Sequence, residues 1–181
     1  MLAALTVFTN RDGLLSVIAP IGLAAAVPTC LVVDLDPNGP LLPGVATLAA
    51  LVESGPRQVD LQPATEGTAM LANGGIDPEE AETVVRHLLD GWPHVVLRSD
   101  VDRGLFAPVV PVHPILPGWP YGDPSRFCVY QEAGFRVERP PQGIVLPRPS
   151  AGTVGKLLDG ALPPKSRWIS AWREVWAHPW R

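Results

Sequence analysis

Lysine is nearly missing from this chain of 181 residues: Lys156 and Lys165 stand against twelve arginines. A phosphate site that depends on lysine therefore has two candidates, both near the C-terminal end. Cysteine is as scarce. Cys30 and Cys128 cannot build a disulfide framework or a four-cysteine metal site, and Cys30, inside an apolar run, reads as a buried free thiol. Charged residues make up only 18% of the chain and leave a net charge of −4, which supplies no overall attraction to nucleic acid or an anionic membrane. No apolar run reaches the roughly 18 residues of a membrane span. The N-terminal apolar stretch has no basic residue before it and is broken by Asn10, Arg11 and Asp12, so it reads as a strand and turn rather than an export signal. His87, His94, His113 and His178 are scattered without metal-ligand spacing. There is no Gly-x-Ser-x-Gly elbow and no basic, aromatic-interleaved stripe for single-stranded nucleic acid.

What the chain does have is hydrophobic content. At 46% it excludes wholesale disorder and, at this length, suits one domain with one sizeable core, spanning residues 1–181. Leu2 to Thr9 is a short β-prone run ending in a turn at Asn10 to Gly13. Leu14 to Ala26 reads as a buried helix, with Pro20 predicting that it is short, kinked or begins there. Cys30 to Asp36 is continuously apolar and turns acidic at its end, as a central parallel strand does. Thr47 to Ser54 reads as a short helix. Asp77, Pro78 and Glu80 mark a helix start, with Val84, Val85, Leu88 and Leu89 on its apolar face and Gly91 as its stop. His94 to Arg98 is a second buried strand. Val109 to Ile115 is a poor strand because of Pro111 and Pro114. Residues 117–149 read as loop-rich, with short strands at Phe135 to Glu138 and Gly143 to Leu146. Gly152 to Gly155, with Lys156 after a glycine, reads as a helix start rather than a phosphate loop, and Arg167 to His178 as the last helix. Alternating strands and helices predict an α/β fold: a doubly wound, mostly parallel sheet with helices on both faces.

The order of these blocks resembles the ParA/MinD group of P-loop ATPases (the SIMIBI class). In that family a strand leads into a glycine-rich, lysine-containing phosphate loop, then a helix ending in Leu-Ala-Ala, then a strand running into Asp-x-Asp-Pro. The matching residues are Leu5 to Thr9, Leu23-Ala24-Ala25 and Asp34-Leu35-Asp36-Pro37. Gly67 to Asp90 looks like the family's next strand, Gly-Gly turn and long helix, which precede the strand carrying its third nucleotide motif. The likeness covers residues 1 to about 115; the rest is only loosely similar.

The departures fall on the chemistry. A working phosphate loop brings backbone N–H groups, a lysine and a magnesium-binding hydroxyl to the phosphates. The matching stretch is Arg11-Asp12-Gly13-Leu14-Leu15-Ser16-Val17-Ile18, in which only Gly13 survives. Leu15 stands for a glycine, Ser16 for the lysine, Val17 for the hydroxyl, and Asp12 puts negative charge where an anion would sit. Arg11 falls at the family's second, partner-reaching lysine. Arg98 matches the aspartate of the hydrolytic motif, with Asp100 two residues later. Asp34 and Asp36 remain, without metal or phosphate, as caps or loop anchors.

The resemblance therefore implies a pseudo-ATPase with a vestigial site at Arg11, Gly13, Ser16, Asp34 and Asp36, no catalytic residues and no cofactor. It implies a cytoplasmic scaffold or regulator of a positioning, division or envelope-assembly system, pairing with itself or with an intact relative. A switch ATPase with a rebuilt site using Arg11, Asp34, Asp36 and Asp100 is the alternative. Residues 165–181 carry Trp168, Trp172, Trp176 and Trp180, spaced by four. The first three share one helix face, which either closes the domain's own core, meets a protein partner or lies on a membrane as an adaptor.

Overall fold

The computed structural model describes residues 3–9, 12–57, 60, 67–118, 125–135, 140, 142–162 and 166–180. Among them seven strands form one sheet and five helices cover it. In chain order these are β1 Ala3–Phe8, α1 Gly13–Ala24, β2 Thr29–Asp34, α2 Leu48–Ser54, β3 Gly67–Leu71, α3 Glu82–Gly91, β4 His94–Ser99, β5 Val109–Ile115, β6 Cys128–Glu132, β7 Gly143–Leu146, α4 Ala151–Leu158 and α5 Arg167–Ala177. The strand order is β3-β2-β4-β1-β5-β6-β7, and every pair is parallel. The fold is doubly wound α/β.

Buried strands are apolar at consecutive positions because both faces are covered. In β2, Cys30 and Val32 point to the layer of α1, α4 and α5, while Leu31 and Val33 point to the layer of α2 and α3. Val96 of β4 joins the first layer, Val95 and Leu97 the second. Cys30 is fully buried, and burial pushes its thiol far up, so it stays protonated and inert.

Four expectations need correction. Helix α1 begins at Gly13 and runs through Pro20 without stopping. Proline forfeits one backbone hydrogen bond, but Leu15 to Ala24 are all buried, and that packing holds the helix. Helix α3 starts at Glu82 rather than next to Asp77. The Asp77 carboxylate does accept from the Glu79 N–H at 2.8 Å, but the turn it caps, closed by Glu80 and Ala81 N–H donating to the Asp77 carbonyl, precedes the regular helix. Val109–Ile115 is a full interior strand. Its ladder to β1 uses Val109 to Pro111 and its ladder to β6 uses Val112 to Ile115, so each proline interrupts only one of them. Finally, β6 lies inside a stretch read as loop. The strand expected over Phe135 to Glu138 falls largely outside the described residues.

The tail helix α5 packs on α1. Trp168 and Trp172 are 1% and 0% exposed and meet edge to face, ring centroids 5.6 Å apart. They fit because position 22 is glycine. A Cβ there would come within 2.7 Å of the Trp172 Nε1 and closer still to the Trp168 ring. The Trp168 Nε1 donates to the Gln131 Oε1 at 2.6 Å, and the Trp176 Nε1 to the Leu23 carbonyl at 2.9 Å.

Candidate functional site

Strand order brings together the carboxyl ends of β1, β2 and β4. Strand β4 lies between β2 and β1, so the carboxyl ends at Asp34, Arg98 and Phe8 stand side by side, with Asp34 opposite Arg98 and Phe8 opposite Ser99. In an open parallel sheet this edge is where ligands bind. Helix α1 opens beside it.

Asp12, Ser16, Asp34 and Arg98 at this edge are each engaged by the chain itself. The Asp12 carboxylate accepts from the Leu15 N–H at 2.8 Å and caps α1, so the helix N-terminus, ordinarily an anion site, holds an internal anion. Ser16 is buried and its hydroxyl donates to the Gly13 carbonyl at 3.0 Å. Leu15 and Val17 are buried in the core. Arg11 lies outside the described residues.

Opposite, Arg98 and Asp34 form a bidentate pair, Nε to Oδ1 and Nη2 to Oδ2 both at 2.7 Å, with each side chain 2% exposed. The remaining Arg98 Nη1 donates to the Pro40 carbonyl. Asp34 also accepts from the Asp36 N–H at 3.0 Å and the Asn73 N–H at 3.3 Å. Burial pushes the Asp34 carboxyl up, against the downward pull of the Arg98 guanidinium and of the two N–H groups. All four of its contacts are donors, a set that an ionised carboxylate satisfies and a protonated one does not.

The loop after β2 closes over this pair. Asp36 accepts from the Asn38 N–H at 3.0 Å. A Cβ at position 39 would overlap the Asp36 carboxylate and come within 2.9 Å of the Arg98 Nη2, so a larger residue there has to displace both. Pro40 lies next to the first turn of α1, where a Cβ at Gly13 would be 3.8 Å from the Pro40 Cγ. Asn73 ties in the Gly-Gly turn: its Oδ1 accepts from Gly75 and Ile76 N–H, and its Nδ2 donates to the Asp34 carbonyl. Asp100 lies beyond the end of β4 and is exposed.

Gly13, Ser16, Asp34 and Asp36 thus sit at one end of the sheet. Sequence reasoning missed that Arg98 is the partner of Asp34, and that Asn73 and Pro40 complete the cluster. The signal was two opposite charges closing two apolar strands. The tail set divides: Trp168 and Trp172 are buried in the chain's own core and are not open to a partner, while Trp176 is half-buried against Leu23 and edge to face with His94 at 5.3 Å. Among the described residues no three of His, Cys, Asp and Glu gather as a metal site, and no helix is long and apolar enough to cross a membrane. No protein-family model matches the chain, and neither a curated protein nor a solved structure matches it.

Proposed function

We propose that the chain is a non-catalytic, ParA/MinD-like pseudo-ATPase, a cytoplasmic scaffold or regulatory partner in a positioning, division or envelope-assembly system. The observation that carries this reading is Arg98. At the position matched to the family's hydrolytic aspartate stands a cation whose guanidinium is buried and spent on Asp34 and Pro40. A divalent cation would have to displace it from Asp34, and a phosphate would meet the Asp12 carboxylate at the start of α1. Desolvated like charges repel by several kcal/mol.

Partner contact is proposed through the same face, as a homodimer or with an intact relative. Leu14 in the first turn of α1 and Leu41 in the loop after Pro40 are 51% and 84% exposed there, an apolar surface where a nucleotide site would be polar. The burial of Trp168 and Trp172 weighs against a membrane-adaptor reading.

The experiment is calorimetric titration of the protein with ATP and ADP, with and without Mg²⁺, together with its mass by light scattering. The expected result is no heat of binding at millimolar nucleotide and an oligomeric state indifferent to it. Saturable, magnesium-dependent binding would sink the reading and turn attention to Arg11, Asp34 and Asp36 as a rebuilt site.

A further inference from the structure

We draw no further inference here: the strongest candidate, the cavity of about 760 Å³ over β3 between α2 and α3, is lined at Arg57, Asp60 and Gly67 next in sequence to residues outside the described set, and nothing in the structure shows what would occupy it.

Discussion

On the α1 side of the sheet three places are filled by side chains of the chain itself: two tryptophans against Gly22, a carboxylate on the helix N-terminus, an arginine between Asp34 and Pro40. On the α2–α3 side a short helix leaves an open cavity over β3. The difference separates places the chain fills itself from one it leaves open. The side whose sequence resembles nucleotide motifs is the one those side chains fill, and the cavity lies where no motif points.

The comparison breaks most violently at the buried pair. Arg98→Ala leaves Asp34 charged and unpaired, and is expected to destabilise by about 3–5 kcal/mol, measured by denaturant unfolding. The double change Asp34→Leu with Arg98→Met should recover most of that loss, because well-packed apolar side chains replace buried ion pairs at little net cost. If Arg98→Ala is neutral, the α1 side is not closed by this pair.

Gly22→Ala comes next. In an ordinary helix interior the change stabilises by about 0.5–1 kcal/mol; here overpacking against Trp168 and Trp172 should destabilise by about 1–3 kcal/mol, so the sign alone decides whether α5 is seated as described. Asp12→Ala removes the α1 cap, for about 1 kcal/mol, read as a lowered melting midpoint. An unchanged or raised midpoint would mean that the carboxylate repels more than it caps.

The smallest effect is expected from His113 on the opposite face. Burial holds its imidazole below the ordinary value, with Asp102 pulling it up and Arg126 pushing it down. The folded state then binds the proton less readily than the unfolded one. The stability it contributes is present above the unfolded pKa of about 6.5 and falls as pH drops through that value toward the folded one. Melting midpoints across that window should decline in the wild type and decline less in His113→Gln.

The elements legible in the sequence were those with one dominant cause. Apolar runs ending in charge marked β2 and β4, and the short helix expected from Thr47 begins there, with the Thr47 hydroxyl accepting from the Ala50 N–H at 3.2 Å. What escaped depended on partners distant along the chain. Pro20 and Pro111 look like breaks until the packing around α1 and the split ladders of β5 are known. The tryptophan stripe at helical spacing fits core and surface equally, and the feature that decides between them, Gly22, lies 146 residues before Trp168. Asp34 and Arg98 were each noticed as a motif position, but only adjacency of β2 and β4 makes them one object.

That object constrains how the sequence can vary. Asp34 and Arg98 lie 64 residues apart in sequence, and neither position is free to drift while the other stays. A single change of Arg98 to aspartate would set two carboxylates against each other where water does not reach, and Gly39 and Pro40, shaped around the guanidinium, would be left facing a void. In an alignment of relatives the two columns should therefore vary as a couple, with acid at one and arginine at the other gained or lost together. The pair is changed only by changing both of its members.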